Sequence, residues 1–92
     1  MKTERAVIIF SGRVQGIGFR YTCRSLVMGF AVTGYVRNLE NGGVEMVIEG
    51  ECKEIQGFLQ AIEESHLKPF IRNHTLDWHS ATGEWKDFYI KH

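Results

Sequence analysis

The chain has 92 residues, and its 11 lysines and arginines balance 11 aspartates and glutamates, so the formal net charge is zero. With 43% apolar and 12% aromatic residues and a single proline, it is neither a disordered tail nor a Pro-rich linker. The longest unbroken apolar run, Ala6 to Phe10, is too short for a membrane-spanning helix or a signal-peptide core. One domain over residues 1–92, soluble and cytoplasmic with no membrane partner, is therefore expected, and a body of this size can bury roughly two thirds of its unfolded surface without staples.

Along the chain, the β-branched run Ala6-Val-Ile-Ile-Phe10, closed by Ser11-Gly12, predicts a buried strand. A loop with Gly12, Gly16 and Gly18 follows. Phe19, Cys23, Leu26, Val27 and Phe30 then recur at helical spacing from about Arg20, and Gly29 is placed to end that helix. Val32, Gly34, Val36 and Asn38 share one face of a second strand, and Asn41-Gly42 signals a tight hairpin. The returning strand alternates Val44, Met46 and Ile48 with Glu45 and Glu49 and stops at Gly50. Cys52, Ile55, Phe58, Leu59 and Ile62 form the apolar stripe of a Glu-rich helix, interrupted by Gly57. Past Pro69, Ile71 to Trp78 reads as a strand, Ser80 to Gly83 as a turn, and Trp85 to Ile90 as a closing strand. The order β-α-β-β-α-β, with a short extra strand, predicts an α+β, ferredoxin-like split β-α-β sandwich: an antiparallel sheet of four to five strands with both helices on one face.

Charge is unevenly spread. Residues 1–39 hold Lys2, Arg5, Arg13, Arg20, Arg24 and Arg37 against Glu4 alone, whereas residues 40–64 hold seven glutamates against Lys53. A basic front beside an acidic middle does not suit a long polyanion, and it leaves room for a small anion held by a few arginines. Cys23 and Cys52 have neither zinc-knuckle nor redox spacing and read as ordinary buried thiols. The four histidines, at 66, 74, 79 and 92, show no metal-ligand spacing, so no metal is expected.

Two segments could carry chemistry. Gly12-Arg-Val-Gln-Gly-Ile-Gly-Phe-Arg20 joins the first strand to the first helix. A glycine-rich connection there can turn backbone N–H groups inward as a nest at the helix N-terminus. Arg20 would bring a guanidinium fork to the same place, and nest plus fork suit a phosphate dianion. The segment has no Lys for a Walker motif, and the dinucleotide pattern fails at Tyr21. A structural turn beside a surface arginine explains the same residues. Asn38 is the second odd residue: its amide either holds a ligand or water, or satisfies the neighbouring turn. No Ser-His-Asp or Cys-His pairing and no isolated carboxylate pair is legible, so any catalysis runs on positioning and electrostatics.

Together these segments resemble the acylphosphatase family. Gly12 to Arg20 is similar to its first signature, G-x-V-Q-G-V-x-F-R, with Ile17 in place of the usual Val. Gly34-Tyr-Val-Arg-Asn38, followed by Gly42, Val44 and Gly50, is similar to its second, with Tyr35 where Trp is frequent. The likeness is tight over residues 6–50 and looser beyond. It implies hydrolysis of an acyl phosphate to a carboxylate and inorganic phosphate. The phosphate would be bound by Gln15, Gly16, Ile17, Gly18, Phe19 and Arg20 through their backbone and the Arg20 fork. Asn38 would orient the attacking water, so Arg20 and Asn38 are the implied catalytic residues. No cofactor and no metal are implied, and the partner is a small-molecule acyl phosphate.

Two other readings fit parts of the same residues. Gln15-Gly-Ile-Gly-Phe19 partly mimics a ribonucleoprotein signature, but Gln15 and Ile17 replace its basic and stacking residues and the segment leads into a helix. No nucleic-acid partner is expected. A catalytically silent or regulatory anion-binding domain is the other alternative, disfavoured by the presence of both Arg20 and Asn38. Small size and balanced charge favour a monomer.

Overall fold

Residues 2–92 are described in a computed structural model. Five strands form one sheet: β1 (Thr3–Gly12), β2 (Val32–Asn38), β3 (Val44–Glu51), β4 (Ile71–Ser80) and β5 (Phe88–Lys91), in the spatial order β4-β1-β3-β2-β5. Two helices, α1 (Phe19–Leu26) and α2 (Cys52–Glu63), complete it. The period-2 alternation read from the sequence sets the pairing. Ala6, Ile8 and Phe10 of β1, Val44, Met46 and Ile48 of β3, and Val32 and Val36 of β2 are all buried on one face. Phe19 and Cys23 of α1 and Ile55, Phe58 and Ile62 of α2 join them in a single core cluster, so both helices cover that face. Gly34 interrupts the buried row of β2 because a Cβ there would overlap the Val47 carbonyl oxygen.

Several expectations need correction in detail. The sheet is mixed, because β5 pairs with β2 in parallel while every other pair is antiparallel. The reason lies in the connection. β4 ends opposite the start of β1, at Ser80↔Glu4, and the segment after it crosses beneath the uncovered face of the sheet. It reaches β2 at its N-terminal end, where the Gly34 N–H donates to the Asp87 carbonyl, and from there β5 can only run alongside β2. Trp85 consequently lies in the crossing segment and not in the closing strand. Its ring stacks on the Arg5 guanidinium at 4.5 Å and meets Tyr35 edge-on at 5.6 Å. Asn41-Gly42 belongs to a wider hairpin than a two-residue turn. The Gly42 N–H donates to Leu39 O, Gly42 takes φ of 94°, and Leu39 pairs with Gly43. Of the two cysteines, Cys23 is buried but Cys52 is only half-buried, and both are free.

The strap between β4 and β5 is clipped by Glu49, which is only 3% exposed. Its carboxylate accepts the backbone N–H groups of Thr82 and Gly83 at 2.8 and 2.9 Å and the Arg5 Nε–H at 2.8 Å. Burial alone would raise the Glu49 pKa. The two backbone donors and Arg5 outweigh that burial and hold it below the usual value. A carboxyl held low when folded stabilises the fold above its unfolded pKa, near ~4.3, and that stabilisation is lost as pH falls through the folded value. Urea midpoints measured from pH 6 downwards are therefore expected to drop less steeply for Glu49→Gln than for the parent chain (a window of about pH 5 to 3 covers the change). Equal slopes would show that Glu49 contributes nothing to acid unfolding.

Candidate active site

The loop after β1 is fastened at three points. The Arg13 N–H donates to Phe70 O at 2.9 Å, Val14 is fully buried, and Phe19 is buried against Phe10 with ring centroids 5.0 Å apart. The backbone between these anchors turns twice through the left-handed region, at Gly16 (φ 78°) and Gly18 (φ 77°), and no other residue type here takes positive φ. Gly18 is also the N-cap of α1. It supplies no side-chain cap, and the first turn contains no acidic residue. The first helical bond runs from the Thr22 N–H to Gly18 O, which leaves the N–H groups at the start of α1 without an intrahelical acceptor. The result is a concave run of donors at the positive end of a helix, the arrangement that attracts an anion.

The six residues expected to hold the anion have distinct positions. Phe19 lies in the core and Ile17 packs against it, so both can offer only backbone N–H groups. Gly16 and Gly18 are exposed. Gln15 is committed elsewhere: its side-chain amide donates to Leu39 O at 2.7 Å and to Gly43 O at 2.8 Å. That amide bridges the cradle to the β2–β3 hairpin, a bracing role that sequence reasoning missed. Both carbonyls keep their hairpin N–H donors, so Gln15→Ala removes two hydrogen bonds without orphaning an acceptor and is expected to cost about 1–3 kcal/mol of stability, at about 0.5–1.5 kcal/mol for each bond. Because the brace sets the distance between cradle and hairpin, it should also lower kcat more than it raises KM. Unchanged steady-state parameters in the folded variant would remove Gln15 from the positioning shell.

Arg20 is half-buried and enters none of the four ion pairs among the described residues. Its Nη1 lies 3.5 Å from Nδ1 of His92. His92 directly follows β5, whose last pair is Arg37↔Lys91, so it comes level with Asn38 at the end of β2. Arg20 and Asn38, 18 positions apart in sequence, are thus both placed toward the same end of the sheet. Asn38 shares the parity of Val32 and Val36, the helix-covered face, but it lies past the edge of the core and is exposed, not buried. It does not support the hairpin turn either. That support comes from Asn41, whose Oδ1 accepts the Gly43 N–H at 2.9 Å, and from Gln15. The sequence offered no signal for His92, since its placement depends on the parallel β2–β5 pair.

The electrostatics favour an anion. No acidic residue occurs between Glu4 and Glu40, Arg13 stands just ahead of the cradle in the chain and Arg20 lies in the first turn of α1. Nothing nearby is an activated nucleophile. Burial pushes the Cys23 thiol up to about 12, so it stays protonated at neutral pH. The site can hold an anion, polarise it and orient a neutral molecule beside it.

Comparison with known proteins agrees with this chemistry. The family model described as acylphosphatase matches residues 6–90. An acylphosphatase of Roseiflexus sp. is 37% identical over 90 residues, spanning 98% of this chain and 97% of that protein. One from Treponema denticola is 40% identical over 92 residues, spanning 98% and 96%. Among solved structures, the acylphosphatase of Bacillus subtilis superposes with a TM-score of 0.87 at 27% identity, covering 97% of this chain and 99% of the other. Full-length HypF, in a phosphate- and nucleotide-bound form, superposes with a TM-score of 0.81 at 27% identity, covering 99% of this chain but 12% of HypF.

Proposed function

Since the chain belongs to the acylphosphatase family and its activity is the hydrolysis of acyl phosphates, we propose that a backbone cradle, one guanidinium and one carboxamide divide that work. The N–H groups of residues 15–20 hold the phosphoryl oxygens, and Arg20 adds a two-pronged hydrogen bond. Asn38 orients a water for in-line attack on phosphorus. The P–O bond to the acyl group breaks as the water's oxygen bonds, and the carboxylate leaves with the electron pair. A carboxylate is a good leaving group, so no strong general acid is needed, and a phosphoryl oxygen takes the water's proton. The protein fixes geometry and stabilises charge spread over three phosphoryl oxygens. The reaction runs without metal or cofactor, on a single domain acting as a cytoplasmic monomer with no nucleic-acid partner.

One observation carries this reading above the rest: two positive-φ glycines lead into a helix with no side-chain cap, and its first turn carries an arginine that pairs with no carboxylate among the described residues. Inorganic phosphate tests it, being the product and an analogue of the bound group. Titrated into the labelled protein, it is expected to shift the backbone amide resonances of residues 15–20 and to inhibit hydrolysis competitively. Shifts confined to other residues, or inhibition that is not competitive, would move the anion away from this loop.

A further inference from the structure

The opposite edge of the sheet holds a constellation that hydrolysis at the α1 end does not use. His74 on β4 and Glu63 on the last turn of α2 face each other, Nδ1 to Oε1 at 2.6 Å. That Oε1 is buried, and the approach is too bent to count as a straight hydrogen bond, so the oxygen has no well-aligned donor. The Phe10 ring, with its centroid 6.1 Å away, packs against the imidazole from the core side. The pair borders a cavity of about 270 Å³ that is also lined by Lys68 and Arg72, and neither cation belongs to any ion pair among the described residues. A carboxylate oxygen 2.6 Å from Nδ1 favours a proton on that nitrogen through its charge, without a straight hydrogen bond, and that tautomer leaves the Nε2 lone pair free. His74 is one-third exposed on its side chain (33%) and lines the cavity, so the ring is open to a solute there.

We propose that His74 is a second phosphoryl-accepting site, in which Nε2 takes the phosphoryl group of an acyl phosphate while Lys68 and Arg72 pair with the anion. The N–P bond forms as the P–O bond to the acyl group breaks, and the carboxylate departs with the bonding electrons. Nδ1 keeps its proton, and the resulting imidazolium is stabilised by the Glu63 carboxylate beside it. Water later cleaves the N–P bond, giving inorganic phosphate and restoring the neutral ring. No oxidant or second substrate is required. The inference rests on the substrate class of the chain and not on the roles given to Arg20 and Asn38.

The test uses the full chain carrying Arg20→Ala, which spares the donor from turnover at the other site, with radiolabelled acetyl phosphate in EDTA. An acid-labile, alkali-stable phosphoryl group is expected on this protein, and it should be lost when His74→Ala is added. Glu63→Gln should slow labelling by about tenfold or more, the scale on which an orienting partner acts. His74→Ala alone should leave benzoyl phosphate hydrolysis unchanged. Absence of an acid-labile label, or an equal label after His74→Ala, would overturn the proposal. Hydrolysis in Arg20→Ala that persists after His74→Ala is added would instead count against the Arg20 role, while the label still decides the role of His74.

Discussion

Replacing Arg20 with Ala should lower kcat/KM by about a thousandfold or more, because each lost donor to developing charge costs about 3–4 kcal/mol and the guanidinium supplies two. The fold should be almost unaffected. Arg20 is half-buried and holds no ion pair among the described residues, and α1 is anchored by the buried side chains of Phe19 and Cys23. A melting temperature near that of the parent is therefore the expected companion of the lost activity. Arg20→Lys should fail nearly as badly, since an ammonium is a point charge that cannot give two parallel hydrogen bonds. Steady-state hydrolysis of benzoyl phosphate alongside thermal melts of the three proteins checks both halves. Turnover near the parental rate in folded Arg20→Ala would end the assignment of this residue.

The second large effect concerns Asn38. It is exposed at the end of β2, and the hairpin beyond it is supported by Asn41 and Gln15, so truncation should not disturb the turn. Asn38→Ala is expected to lower kcat by about a hundredfold or more, the scale on which misplaced reactants are felt, while competitive inhibition by phosphate stays at the parental strength. The split between the two readouts is the informative part. A weakened phosphate inhibition constant with preserved kcat would make Asn38 a binding group instead of the one that orients water. Asn38→Asp keeps the shape but adds a negative charge facing the anion, so it should be at least as inactive as Asn38→Ala.

Much of this was legible in the sequence because the information is local. Alternation in Ala6 to Phe10 and Val44 to Ile48 gave the buried face, and the helical spacing of Ile55, Phe58 and Ile62 gave the stripe that covers it. The Gly16 and Gly18 pair ahead of a helix was readable as a nest for the same reason: φ freedom is a property of single residues. What was not legible is what long-range pairing decides. The parallel β2–β5 pair, the displacement of Trp85 onto Arg5, and the His92 ring beside Arg20 all follow from a strap crossing under the sheet. The clip that holds the strap is Glu49, which sits among alternating residues as an ordinary strand glutamate and gains its Arg5 and strap donors only in the folded chain. Gln15 read as part of the cradle, yet its amide reaches across to carbonyls 24 and 28 positions away. Strand parity pointed Asn38 to the helix-covered face, yet on β2 the buried row ends at Val36 and Asn38 is exposed opposite the buried Val44.

The most direct test of attack at phosphorus by a positioned water is a single turnover of benzoyl phosphate in heavy-oxygen water containing EDTA, with both products analysed by mass. Label in the inorganic phosphate and none in the benzoate is expected, at a rate the chelator does not change. Label in the benzoate would mean that water attacks the acyl carbon, and the roles assigned to the cradle, Arg20 and Asn38 would then be contradicted together.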